Sequence, residues 1–374
     1  MRFSHQRFFS FVAMTTCAAA TIATAHPAIA QSTQPTPKTT TATPESRTIA
    51  WPIKTREQVD LWLHGYALIT QDSAAVPFFA KGYTQALTIL KNRANVYTQL
   101  DANVERLQTM LRGNRALVNA QFVPLYFSSV DAMHTTIDHF IAANGNPKGA
   151  KTREELEGFA VLANYFGTSA DRAFLSLFAS ALWDESTKFY HSYWVQQQRE
   201  RGPVIDSVQA LWQQTVRPRI QRFLNNSQQR NGDIILSLPL GGEGRTISAT
   251  GNTRTTIAVT FPDKPANAIE AIYVMMHEMM NPIVAGAVND NTTPAEQRNG
   301  VAEQIAGKAT VIGGLMAMTK MLPEYSDGYA SFYLRAMGRT PGAHPHDELT
   351  ALVQLPTAIR DAITRQLDTV QEGI

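Results

Sequence analysis

The sequence predicts an α+β chain that is mainly α: a helical N-terminal portion, then a small antiparallel β-meander, then helices again. Three observations predict it. Apolar residues recur at three-, four- and seven-residue spacing through much of residues 51–230. Short β-rich runs separated by glycine turns are confined to residues 233–261. Capping residues and prolines punctuate helical pattern again from Pro265 onward.

The first 30 residues stand apart. Arg2 and Arg7 precede an apolar run from Phe8 to about Ala25, and Ala28-Ile29-Ala30 places small residues at a cleavage site. This is the pattern of a secretory signal rather than a membrane span, so the expected location is exported, periplasmic or extracellular. Residues 31–50 are rich in Thr, Pro and Ser, cannot bury apolar surface, and read as a disordered tether. Cys17 is the only cysteine and follows Met14-Thr15-Thr16, a poor lipidation site. A chain cut after residue 30 therefore has no disulfide, no thiolate metal site and no cysteine nucleophile. Cutting leaves 374 − 30 = 344 residues, enough for one large domain or two ordinary ones. It also leaves 33 − 2 = 31 basic residues against 31 acidic ones, so charge gives no reason to expect a nucleic-acid partner. No run after the signal is long and apolar enough to span a membrane.

From Trp51 the elements follow in order. Helical pattern covers Asp60 to about Ile69, then Tyr83 to Leu111, where Leu90, Tyr97, Leu100, Val104, Leu107 and Leu111 share one face. It continues over about 116–143, 152–166, 169–200 and 204–226, with Asn144-Gly145-Asn146-Pro147 as a loop. Residues 51–230 are thus a helical region, and 231–374 a second one with a different character. Its runs "DIILSLPL", "RTISAT" and "RTTIAVTF" read as the meander. The cluster Gly241-Gly242-Glu243-Gly244 lacks the Lys-Ser/Thr of a phosphate loop and reads as a turn. After it, Asn267 and Glu270 offer a capping box for a helix that Pro282 ends or kinks. Thr293, Pro294 and Glu296 start a helix running to about Met321, and a last helix begins near Pro356.

One stretch carries chemistry: "YVMMHEMMNPIV", residues 273–284. His277 and Asn281 are one helical turn apart and project from one face, with Glu278 offset by about 100°. Two ligands at i and i+4 with a base at i+1 is the spacing by which a helix holds zinc and a metal-bound water. A third ligand from another helix is expected at Glu303, whose neighbours Gly300, Ala306 and Gly307 are small enough for close helix approach. The alternative reading is a hydrogen-bonded buried His277–Glu278 pair with no metal, with Asn281 a helix-terminal residue before Pro282. Met275, Met276, Met279 and Met280 read as core filling.

Residues 233–310 resemble a gluzincin, a zinc metallopeptidase with a His-Glu-x-x-His helix and a downstream helical glutamate. The resemblance implies a zincin-like region in which His277 and Glu303 bind zinc and Glu278 is the general base. It also implies a transition-state stabiliser from the segment "GAHPHDEL", His344 or His346, or from Tyr325, Tyr329 or Tyr333. Asn281 departs from the pattern by standing where the second histidine would be. An amide oxygen is a neutral and poorer zinc ligand. Two functions are therefore expected. One is hydrolysis of a peptide or other amide by metal-activated water, with His277, Asn281 and Glu303 around the zinc and Glu278, His346 and Tyr329 catalytic. The other is a catalytically inactive peptidase fold that binds a peptide, a protein or an envelope partner. The common serine-hydrolase signatures and EF-hand calcium loops are missing from the sequence.

Overall fold

A computed structural model describes residues 50–70, 76–248 and 254–373. The signal and, apart from Ala50, the tether lie outside the described residues. The architecture is α+β and mainly helical, with one four-stranded sheet.

Strand β1 (Ile53–Thr55) leads into α1 (Glu57–Ile69), where every residue from Gln58 to Ala67 is buried. A helix covered all round is a central helix, and the others pack about it. Next come α2 (Tyr83–Arg93) and α3 (Gln99–Leu111). The single apolar face expected over residues 83–111 is broken between them. Thr98 opens α3 with a capping box, its side chain accepting from the Asp101 amide while the Asp101 carboxylate accepts in return. Leu100, Leu107 and Leu111 face the core, while Leu90 and Tyr97, on the far side of the break, are exposed.

The expected helix over 116–143 is also divided. Helix α4 (Arg115–Asn119) passes into a 3-10 segment, Ala120–Tyr126, that contains Pro124, and α5 (Val130–Ala142) starts afresh from a Ser129 cap. After α6 (Arg153–Tyr165), α7 (Ser169–Glu185) joins α8 (His191–Glu200) through a π-helical turn, Ser186–Tyr190. A second π-helical turn, Trp212–Val216, joins α9 (Gly202–Leu211) to α10 (Arg217–Asn226).

The β runs form β2 (Asn231–Ser237), β3 (Arg245–Ser248) and β4 (Arg254–Thr260), but they do not make a meander. The sheet order is β1-β2-β4-β3, mixed rather than antiparallel. Ile234 stands opposite Ile53 of β1 and Ile257 of β4 in two parallel ladders, and β3 returns antiparallel to β4 at the edge. The physical reason is legible in β2: its residues from Gly232 to Ser237 are buried on both faces. Such a strand belongs in the centre with parallel neighbours. β1 comes from the N-terminal portion, so the sheet crosses the boundary expected near residue 230.

Behind the sheet lies α11 (Ile269–Met279), buried continuously from Ala271 to Met279. Asn267 does not cap it; its amide bonds Asp263 and the helix begins without a side-chain cap. The chain kinks at Met280 into α12 (Asn281–Asp290), with Pro282 in the new first turn. Thr293, Pro294 and Glu296 form the expected capping box of the short α13 (Pro294–Arg298). Gly300, at φ +73°, then turns the chain into α14 (Val301–Met321). Helices α15 (Ser326–Ala336), α16 (Pro345–Leu352) and α17 (Thr357–Glu372) complete the fold, Ile359, Ile363 and Leu367 facing inward. The four methionines of α11 and its kink are fully buried, as core filling requires. Among the described residues no helix is long and apolar enough to cross a membrane.

Candidate functional site

His277 and Glu278 lie on the buried last turn of α11, 4% and 3% exposed. An ionisable pair in that position must be hydrogen-bonded to be tolerated. The carboxylate of Glu278 is. Its Oε1 accepts from the Gly244 backbone amide at 3.2 Å and lies 3.2 Å from His277 Nδ1. Its Oε2 accepts from the Asn281 side-chain amide at 2.9 Å. The Thr246 hydroxyl stands 3.4 Å from the Glu278 carbonyl. Asn281 is in turn seated on α14: its Oδ1 is 3.2 Å from the Thr310 hydroxyl, which also donates to the Ala306 carbonyl.

Aromatic rings close the other side. His277 stacks on Tyr333 of α15 with centroids 5.4 Å apart and planes at 22°. The Tyr333 hydroxyl donates to the Gly242 carbonyl at 3.1 Å. Burial, followed by the neighbouring Tyr329 and the Glu278 charge, pushes this phenol well above its ordinary pKa, so it is a permanent donor.

The other expected site residues are strung along α14. Thr310 marks the level of Asn281. Glu303 lies seven residues earlier on the same face, two turns or about 10 Å down the axis. There it lines a small cavity with Ala285, Val288, Asn289, Gln297, Ala302 and Ala306, between α12, α13 and α14. His346, in the first turn of α16, is half exposed and faces Thr319 at 3.5 Å, nine residues beyond Thr310. His344 is exposed just ahead of α16. Tyr329 is fully buried beside Tyr333, and its hydroxyl donates to the Val311 carbonyl at 3.0 Å. Burial raises that phenol well above its ordinary pKa too. The structure thus gathers His277, Glu278, Asn281 and Tyr333, with Tyr329 packed against Tyr333, and places Glu303 and His346 elsewhere.

Zinc, which the resemblance implies, needs three protein donors around one point. One observation favours it: His277 Nε2 is buried and without a hydrogen-bond partner. The rest of the donor set does not fit. Asn281 directs its amide at Glu278 and its oxygen at Thr310. Among the described residues no three His, Cys, Asp or Glu side chains are grouped to share an ion.

Two contributors were not foreseen. Gly244, read as part of a turn, brings its amide to Glu278, and a Cβ there would meet the Ala258 carbonyl oxygen at 2.2 Å. Thr310 lies in "KATVIGG", where small residues before Gly313-Gly314 were the available sign of close helix approach. Comparison of the chain with known protein families, with curated proteins and with solved structures finds no match.

Proposed function

We propose that the chain is a non-catalytic, peptidase-like protein of the exported compartment, in which the His-Glu helix is a buried structural strut and the role is to bind a peptide or envelope partner. One observation carries this reading: Glu278 and Asn281, the residues that would serve the water and the metal, are bonded to each other and to Gly244 and Thr310. A carboxylate with both oxygens engaged and 3% exposure is held for structure rather than placed to serve as a base. The second reading, a zinc-dependent hydrolase with Glu278 as base, is favoured by the unpartnered His277 Nε2.

Elemental analysis of the mature, untagged protein separates them. The proposal expects no stoichiometric zinc and a melting curve unchanged by EDTA. Stoichiometric zinc that disappears in His277→Ala would overturn it and install the hydrolase. Asn281→His adds one imidazole at the second-ligand position. On the proposed reading it gains at most weak zinc binding, because Glu303 stands about two turns from that level.

A further inference from the structure

A second polar centre lies in the helical half, remote in sequence from α11. Lys91 of α2 is 5% exposed, so its ammonium must be matched by fixed oxygens. It is matched completely. Nζ lies 2.7 Å from Glu185 Oε2, 2.6 Å from Asp101 Oδ2 and 3.2 Å from the Thr98 hydroxyl. Three N–H donors meet three oxygens. The Phe189 ring adds an aromatic face, its centroid 5.7 Å from Nζ. Glu185 is held for this task. Burial opposes its charge, yet His64, Lys91 and Thr98 together bring its pKa down to about 2. His64 Nε2 is 3.1 Å from Glu185 Oε1, and a chain continues through His64 Nδ1 to the hydroxyls of Tyr83 and Tyr190. The π-helical turn after Glu185 presents Phe189 and Tyr190 to the centre.

The occupant is supplied by a thinly attached element. Of the residues of α2, only Tyr83, Leu87 and Lys91 are buried, and most of the others are exposed, including Ile89 and Leu90. Gly82, at φ +78°, and Asn95, at φ +52°, flank the helix in left-handed conformations that end it sharply. Two of its three anchors are polar contacts to the Glu185 centre. Few buried apolar contacts mark an element of low local stability.

We propose that Glu185, Asp101, Thr98 and Phe189 form a receptor for a primary alkylammonium group, in which Lys91 is the built-in occupant and α2 the cover that an incoming amine displaces. The ligand chemistry is that of a lysine side chain or a free alkylamine. Removing the cover leaves two carboxylates, one hydroxyl and one aromatic face around a cation-sized gap.

Amide exchange on the full chain tests the cover, and Lys91→Ala tests the receptor. In the wild type, α2 amides exchange at least 100-fold faster than those of α7, and n-butylammonium accelerates them further whereas n-butanol does not. In Lys91→Ala, n-butylammonium or Nα-acetyl-lysine methylamide raises the melting temperature saturably above an n-butanol control. The better of the two probes tells a free amine from a peptide-borne lysine. If α2 exchanges no faster than α7, it is not a cover. If neither amine exceeds n-butanol, there is no receptor. Should Lys91→Ala fail to fold, Lys91→Met keeps the apolar stem; an at least tenfold rise in its α2 exchange is then expected, and an unchanged rate overturns the proposal.

Discussion

At residue scale, the position of Glu278 depends on an atom that is absent. Gly244 approaches so closely that an added Cβ would stand 2.2 Å from the Ala258 carbonyl oxygen and 3.1 Å from Glu278 Cγ. The first neighbour is sheet backbone and cannot swing aside. Gly244→Ala should therefore cost about 1–3 kcal/mol in urea unfolding, the range of overpacking effects. A loss under 0.5 kcal/mol would show that the loop before β3 is soft and that Glu278 is not fixed by it. This contact also explains what was legible in the site. His277, Glu278 and Asn281 share a helical turn, so periodicity alone puts them together. Gly244 and Thr310 reach them through tertiary packing, which leaves no periodic trace. Small neighbours point to Glu303, but Ala306 beside it meets that description as well as Gly313 does near Thr310, the true contact seven residues after Glu303.

At the scale of elements, helical pattern is readable up to about Met321 and again from Pro356, but helix continuity is not, and α15 and α16 between them are not foreseen. The stripe from Leu90 to Leu111 keeps perfect spacing in sequence, yet Thr98 stops it because a capping box satisfies orphan amides better than continuation does. The signal was present in "TQLD", a Thr followed three residues on by an acid. It was outweighed by the apolar periodicity around it. The β runs show the same division: β2, β3 and β4 are legible, but β1 and the pairing are not, because β2, buried on both faces, carries the same short β-rich pattern as a meander strand. Thr98→Ala tests the break. It removes a cap worth about 1–2 kcal/mol together with an oxygen facing Lys91. Thr98→Ser keeps the hydroxyl and should recover most of the loss. Equal losses in the two variants would assign the effect to the methyl group and deny the cap its role.

At the scale of the whole molecule, two buried carboxylates with opposite shifts set how stability depends on pH. Asp60 of α1 ties three elements: it accepts from the Leu238 amide after β2 at 3.2 Å and from the Trp194 indole of α8 at 2.9 Å. Burial nevertheless dominates these donors, Ser237 and the Arg201 charge, and pushes its pKa up to about 7 from 3.8. The native state thus holds this proton more tightly than the unfolded chain. Asp60's contribution is full below about pH 4 and is lost as pH rises to 7, by on the order of 4 kcal/mol. Glu185 runs the other way. Its pKa falls from 4.5 to about 2, so its contribution is full above about pH 4.5 and is lost on acidification toward 2, by on the order of 3 kcal/mol. Asp171 and Asp233, also lowered, add to the acid limb. The two limbs meet near pH 4–5, and urea midpoints should peak there, falling toward both pH 3 and pH 8. Asp60→Asn abolishes the titration while its amide oxygen still accepts from one of the two donors, Leu238 or Trp194. Its midpoint at pH 5 should lie below that of the wild type, and it should stay level from pH 5 to 8 where the wild type declines. A variant that declines in parallel with the wild type would move the alkaline limb to another group and leave Asp60 charged in its buried place.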